Sequence, residues 1–429
     1  MNKRDFIKDI IVDFHNSTIR GVKSRIVEIP VNSNKIITLV GSRRSGKTYL
    51  MLDTILSLYS QINSKENILY FNFEDERLNL EKGETELILQ SYLELYPDLD
   101  LSKCYFFFDE IQNVPDWEKF IRRIYDKVTR NIYVTGSNSS FLSSDIATAL
   151  RGRTIKTEVF PLSFKEYLNF LDLNLLSHGS KNRASLKNYF MDYLLKGGYP
   201  ETINMSEDIR DKTLQEYYYV LLYKDLIERY NISNTQILKY FLKRLVSNLS
   251  SVCSINKIYN EIKSSGYNVP KNLLYDIFDW SESVFFSFKL SKFSSSIIKQ
   301  NNTEKKVYII DNGLVNTLSF SFFNDYGKLL ENAVYLHLRR MYVGNLYFYK
   351  NQSECDFVVF SKDKVTGIIQ VCFDLSDDKT YQREVKGLLD ACKFFDLNEG
   401  TIVSMDEERE LKIGNVSINI VPAYKFFLK

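Results

Sequence analysis

Gly41, Ser42, Arg43, Arg44, Ser45, Gly46, Lys47 and Thr48 follow one another in the spacing G-x-x-x-x-G-K-[ST]. Two glycines permit a tight turn, a lysine supplies a point charge, and a hydroxyl follows it. That combination cradles a nucleoside triphosphate, with Lys47 on the β- and γ-phosphates and the Thr48 hydroxyl on Mg2+. Tyr49 completes the set of candidate nucleotide contacts. Further along, Asp109 and Glu110 end the apolar run from Tyr105 to Phe108. Asp109 fits a ligand of Mg2+ or its water, and Glu110 fits a base that orients an attacking water. Glu directly after Asp favours hydrolysis over transfer to a second substrate. ATP and Mg2+ are the expected cofactors. Adenine is preferred to guanine by analogy of fold, since no Asn-Lys-x-Asp stretch appears in the expected region.

These groups need elements to hold them. Lys35 to Val40 is a short, β-branched run that reads as a buried strand, and Tyr49 to Leu58 reads as a helix. Strand, glycine turn and helix N-terminus together direct unpaired N–H groups and the helix dipole at one spot. Ile68 to Phe73 gives a second strand, residues 82–97 a helix, and Tyr105 to Asp109 a buried parallel strand that delivers its acids to the sheet's C-terminal edge. Pro115 opens a helix whose Trp117, Phe120, Ile121, Ile124 and Val128 form a core stripe. Asn131 to Gly136 is another strand, and Ser137 or Asn138 at its end is a candidate γ-phosphate sensor, or else a simple turn. Arg153 is the favoured candidate for an arginine finger acting on a neighbouring subunit, against the reading of an ordinary surface arginine. Arg43 and Arg44 contact phosphate or a partner subunit, or are merely solvated.

The chain has 429 residues, with 56 basic against 54 acidic side chains, so it carries no overall nucleic-acid-type field. Its length suggests about three domains. Cys104, Cys253, Cys355, Cys372 and Cys392 lie far apart and, with three scattered histidines, offer no zinc site and no disulfide framework. No apolar run approaches the ~20 residues that span a bilayer, and the N-terminus lacks a signal core. A cytoplasmic setting with no membrane partner is expected.

The chain resembles the prokaryotic, largely archaeal, family of AAA-fold ATPases with a C-terminal domain of unknown function. The resemblance rests on residues 41–48, on Phe-Asp-Glu-Ile-Gln (108–112), Thr-Gly-Ser-Asn-Ser (135–139) and Arg-Gly-Arg (151–153). It continues through Phe160-Pro161-Leu162-Ser163-Phe164, Gly197-Gly198-Tyr199-Pro200 and Glu354-Cys355-Asp356-Phe357. It implies an α/β fold: an AAA-type parallel sheet over residues 1–160, a helical lid over 161–234, a winged-helix-like domain over 235–300 and a restriction-endonuclease-like α/β domain over 301–429.

In the third of these, Pro270 starts a helix and Val284 to Leu290 alternates like a wing strand. Asp276, Asp279 and Glu282 on that helix oppose phosphate, which favours a scaffold role. Lys239, Lys243, Arg244, Lys289 and Lys292 keep DNA open through another face. In the last domain Asp356 occupies the position of a metal-binding Asp, but Gln370 and Cys372 stand where the fold's nucleases carry Glu and Lys. An amide is a weak Mg2+ ligand and a thiol supplies no cationic charge. Glu331, Glu354 and Asp356 can still gather one ion, yet a non-cleaving domain is the expectation. Three uses of the nucleotide remain open: a DNA-associated motor, a nucleotide-dependent protein-binding switch with slow turnover, and an ATP-gated nuclease. A finger acting in trans would need a homo-oligomer.

Overall fold

Five short strands, each rich in β-branched or aromatic residues, line up in parallel: β1 (Ile36–Val40), β2 (Ile68–Asn72), β3 (Tyr105–Asp109), β4 (Asn131–Gly136) and β5 (Thr154–Glu158). Their spatial order is β2-β3-β4-β1-β5. β4 therefore lies between the strand leading into the glycine turn and the strand bearing the acids, with Ile37 opposite Tyr133 and Phe108 opposite Val134. All five residues of β1 are buried, as a central strand covered on both faces requires. β5 is one edge, opposite β2, and carries Lys156 and Glu158. The computed structural model describes residues 2–429 other than 63, 76–77, 79, 138–149, 151, 174–179, 297–303, 320–324 and 343.

The chain divides into two compact units, Met1–Val159 and Phe160–Lys429. In the first, α1 (Lys3–Asn16), α2 (Lys47–Tyr59), α3 (Glu86–Leu95) and α4 (Trp117–Lys127) accompany the sheet. Leu50, Met51, Ile55 and Leu58 of α2 join Ile37, Leu39, Phe107 and Tyr133 in one hydrophobic cluster. α4 begins at Trp117 rather than Pro115 because Asp116 takes a left-handed conformation, φ 56°, that no continuous helix accommodates.

The second unit opens with α5 (Phe164–Phe170), whose first turn is closed by a reciprocal Ser163–Glu166 capping box. α6 (Ser180–Lys196) and α7 (Glu207–Val220) follow, and α7 runs on as a π-helix over Leu221–Glu228. Next come α8 (Thr235–Ser247), α9 (Ile255–Ser264) and α10 (Lys271–Ser283), then an antiparallel ribbon of β6 (Ser287–Ser291) and β7 (Lys305–Ile309). The expected strand from Val284 is delayed to Ser287. Phe285 has φ 58°, and the Phe286 N–H donates back to Ser281 O, so the chain turns before it extends.

Beyond the ribbon lie α11 (Asn312–Leu318) and α12 (Tyr326–Met341), then β8 (Leu346–Lys350), β9 (Glu354–Ser361) and β10 (Lys364–Val371). α13 (Asp378–Phe395), β11 (Glu399–Ser404), β12 (Arg409–Ile413), β13 (Val416–Pro422) and α14 (Ala423–Phe426) complete the chain. The sheet order is β12-β13-β11-β10-β9-β8, antiparallel through β8, β9 and β10 and parallel from β10 to β11 to β13. The helix expected from Tyr381 starts a turn earlier, because the Asp377 carboxylate accepts the Thr380 N–H and caps it. The hairpin of β12 and β13 has no counterpart among the expected elements.

The two blocks Pro161 to Phe164 and Gly197 to Pro200 meet within this unit. The Leu162 N–H donates to Gly198 O at 2.7 Å, and the Tyr193 hydroxyl donates to Leu162 O at 3.0 Å. A Cβ on Gly198 would sit 2.4 Å from Leu162 O. Asp311 fills the space beside both glycines. One of its oxygens accepts the Gly198 N–H at 2.7 Å and the other caps α11 through the Leu314 N–H at 3.0 Å. Burial pushes the Asp311 carboxyl up to about 6, although these N–H groups favour its charged form.

Candidate nucleotide site

The polypeptide leaves β1 at Val40 and enters α2 at Lys47 through residues 41–46. Gly46 sits at φ 95° immediately before the helix, a conformation that glycine adopts without strain. Gly41 is required for a different reason: a Cβ there would lie 2.1 Å from Val159 O. The loop thus packs against the end of β5 while α2, 13 residues long, aims its N-terminus at the loop's interior.

Lys47 is buried, and its ammonium donates to Gly41 O and Ser42 O, both at 3.1 Å. Its Nζ is 3.7 Å from Glu110 Oε1. Two buried hydroxyls of the loop, Ser42 Oγ and Ser45 Oγ, have no hydrogen-bond partner among the described residues, and the same holds for Ser137 Oγ at the end of β4. Buried orphan donors around a helix N-terminus are what a phosphate chain would satisfy. Arg25 donates to Ser45 O at 2.9 Å and ties the loop to the N-terminal segment. Arg43 pairs with Glu74 at 3.1 Å, Arg44 takes a left-handed backbone with φ 65°, and Tyr49 is exposed.

Asp109 ends β3 with its carboxylate almost wholly buried. One oxygen accepts from the Thr135 hydroxyl and the other from the Tyr70 hydroxyl at 3.1 Å. Burial pushes the Asp109 carboxyl up, while hydrogen bonds from Thr135 and Thr48 oppose the shift. Thr48 and Asp109 are thus brought together, and a hydroxyl beside a carboxylate is the donor set that suits Mg2+. Positive charge there would return the carboxyl to its ionised form. Glu110 follows in the left-handed region at φ 49°, a conformation that costs a non-glycine residue about 1–3 kcal/mol. Its N–H donates to Thr135 Oγ1 at 2.8 Å, and its carboxylate accepts from the Gln112 amide.

Sequence reasoning missed Thr135, Tyr70 and Gln112. Thr135 gains its role from the register of β3 against β4, which sets it beside Asp109 and which no local sequence signal states. Arg153 is not brought to this site within the chain. It precedes β5, which runs parallel to β1, so it lies at the sheet edge opposite the glycine turn. There it pairs with Asp126 at 3.0 Å and stacks over the Tyr125 ring. Asn138 lies outside the described residues.

The second candidate constellation, in the C-terminal sheet, is arranged differently from expectation. Glu331, Glu354 and Asp356 do converge, but on the ammonium of Lys306, a residue of β7. The three carboxylates overcome the opposing effect of burial and hold Lys306 well above its usual range. Burial and the neighbouring Asp356 push Glu331 up. Gln370 accepts the Asp356 N–H at 3.2 Å and donates to Glu384. Cys372 belongs to the hydrophobic cluster with Val385 and Leu388, and burial pushes its thiol up to about 11. Among the described residues no group of three His, Cys, Asp or Glu is arranged to hold a metal ion.

A parallel sheet with one strand inserted between the phosphate-loop strand and the acid-bearing strand, together with this loop, defines a P-loop ATPase domain of the AAA type. Residues 33–168 match a family described as an AAA domain, and residues 187–325 match a domain of unknown function, DUF8612. The uncharacterized protein MJ1544 of Methanocaldococcus jannaschii is 34% identical over 429 residues, covering 98% of this chain and 90% of that protein, and the chain belongs to its family. An uncharacterized protein of Haemophilus influenzae is 29% identical over 347 residues, covering 80% of this chain and 84% of its own. The solved structure of the Walker-type ATPase paby2304 of Pyrococcus abyssi is 15% identical and covers 74% of this chain and 95% of that one, with a TM-score of 0.43. Among the described residues no helix is long and apolar enough to cross a membrane.

Proposed function

We propose that the chain is a Mg2+-dependent ATPase that couples its nucleotide state to motion of its second unit. The observation carrying this reading is the convergence of Lys47, Thr48, Asp109 and Glu110 at the N-terminus of α2, beside buried serine hydroxyls that lack partners among the described residues. Lys47 exchanges the carbonyls of Gly41 and Ser42 for phosphate oxygens, and the backbone N–H groups of residues 42–48 hold the phosphate chain. Thr48 and Asp109 would hold Mg2+, which when bound neutralises charge on the phosphate oxygens. Glu110 accepts a proton from, and orients, the attacking water. Ser137, whose buried hydroxyl lacks a partner among the described residues, would donate to the terminal phosphate.

The fold's second unit supports a scaffold more than a cutting tool. Three helices and a ribbon suit a winged-helix-like body, and the mixed sheet with α13 suits a restriction-endonuclease-like body without a metal-dependent centre. Lys289 pairs with Asp279 and Glu282, so part of the acidic character of α10 is neutralised internally. A second reading, a switch with slow turnover toward a protein partner, draws on the Glu110 carboxylate being engaged by Gln112 rather than free. Stimulation of ATP turnover by duplex DNA separates a DNA-associated motor from this switch. The nucleotide reading itself is tested by Lys47→Ala. Titration with a fluorescent ATP analogue is expected to show affinity at least tenfold weaker than in the parent chain, and unchanged affinity sinks the proposal.

A further inference from the structure

The Lys306 ammonium is roofed by three carboxylates drawn from two other elements: Glu331 of α12 at 3.1 Å, and Glu354 and Asp356 of β9, each at 2.9 Å. An ammonium has three donors and no acceptor, so this coordination is saturated. The carboxylates are also committed elsewhere. Asp356 accepts the Val371 N–H at 3.0 Å, Glu331 accepts the Tyr308 hydroxyl at 2.8 Å, and Glu354 lies 3.5 Å from the Lys350 ammonium. The Lys306 side chain is 3% exposed, so water does not compete for these contacts.

The root of this side chain is fixed on both sides. Lys306 pairs with Leu290 across the ribbon and bridges to Val252 on its other edge. On either side of it, the Cys253 N–H donates to Lys305 O and the Val307 N–H to Ser251 O. The side chain therefore starts from a fixed point, and its burial leaves little room for the ammonium to turn away. A divalent cation needs oxygens at about 2.0–2.6 Å in a shell of six or more. It cannot share the cradle with a positive charge already within hydrogen-bond distance of all three carboxylates.

We infer that Lys306 is a built-in replacement for a divalent cation: its ammonium fills the cradle of Glu331, Glu354 and Asp356 and keeps metal ions out. The positive charge missing at Cys372 is supplied from β7, a different part of the chain. Lys306 also binds the ribbon to the C-terminal sheet, so these two parts of the second unit move together. The inference stands on this geometry and holds whether or not the first unit hydrolyses ATP.

The test uses the nucleotide-free full chain with Mn2+ as the probe, comparing the parent protein, Lys306→Met, and Lys306→Met combined with Asp356→Asn. Met keeps an unbranched, apolar stem of nearly the same length, ends one atom short of the ammonium position and carries no charge. Isothermal titration is expected to show one Mn2+ in Lys306→Met, bound at least tenfold more tightly than anything in the parent and lost in the double variant. A folded Lys306→Met that takes up no such ion overturns the inference, as does a parent-chain Mn2+ site abolished by Asp356→Asn alone. A second measurement needs no folded variant: anomalous diffraction from parent crystals soaked in MnCl2. Density for Lys306 between the carboxylates and no manganese peak there supports the inference, and a peak among Glu331, Glu354 and Asp356 refutes it.

Discussion

Asp311 offers a prediction whose size follows from the structure. Its carboxylate is buried beside Gly197 and Gly198, its two oxygens accepting the Gly198 and Leu314 N–H groups, and burial raises it from the usual 3.8 to about 6. A folded-state value above the unfolded one means that the protonated form is favoured by folding. The stabilisation is fully present below the unfolded value and is lost as pH rises through about 6. A rise of roughly two pH units corresponds to about 3 kcal/mol across the whole window. Roughly 1 kcal/mol of this falls between pH 5 and pH 7. Asp311→Asn removes the titration. Its single carbonyl oxygen serves one N–H while its amide faces the other, at a cost of about 1–3 kcal/mol. At pH 7 the variant therefore regains most of what it loses, and at pH 5 it falls further behind the parent. Urea midpoints of both proteins at pH 5 and pH 7 give the comparison, because other carboxylates cancel in the difference. If the parent's advantage is the same at both pH values, the assignment of a buried, strained carboxylate at Asp311 is wrong.

Two further substitutions probe the same logic elsewhere. Gly198→Ala places a methyl group 2.4 Å from Leu162 O and is expected to destabilise the chain by about 2–4 kcal/mol in thermal or urea unfolding, through loss of the Leu162–Gly198 hydrogen bond and the forced shift. Thr135→Val keeps shape but removes the hydroxyl that links Asp109 to the Glu110 backbone. Turnover is expected to fall about tenfold, a loss of roughly 1.4 kcal/mol of transition-state stabilisation, with little change in ATP affinity measured by titration.

The strand-turn-helix of residues 36–59 and the acid-bearing strand at Asp109 were legible because each signal is local: a buried β-branched run, glycines at fixed spacing, and a helix N-terminus directly after them. What escaped depends on contacts between distant segments. Thr135 and Tyr70 acquire their places only once β2, β3 and β4 are in register. The end of the sheet at which Arg153 sits depends on β5 running parallel to β1, which no local pattern states. Lys306 is marked by no local signal in the sequence, where it is simply the second of two adjacent lysines. Its meaning comes from carboxylates 25 and 50 residues away. The same holds for the Gly-Gly-Tyr-Pro block. The Gly198 requirement comes from the closeness of Leu162, and the space beside Gly197 is taken by Asp311.

The central claim is hydrolysis with Glu110 as the group that orients water. Steady-state phosphate release by the parent chain and by Glu110→Gln, each first shown to bind ATP, tests it most directly. The account predicts Mg2+-dependent release by the parent and, in Glu110→Gln, binding retained with turnover at least ~100-fold slower. Equal turnover in the two proteins, or none in a parent chain that binds ATP and Mg2+, contradicts it.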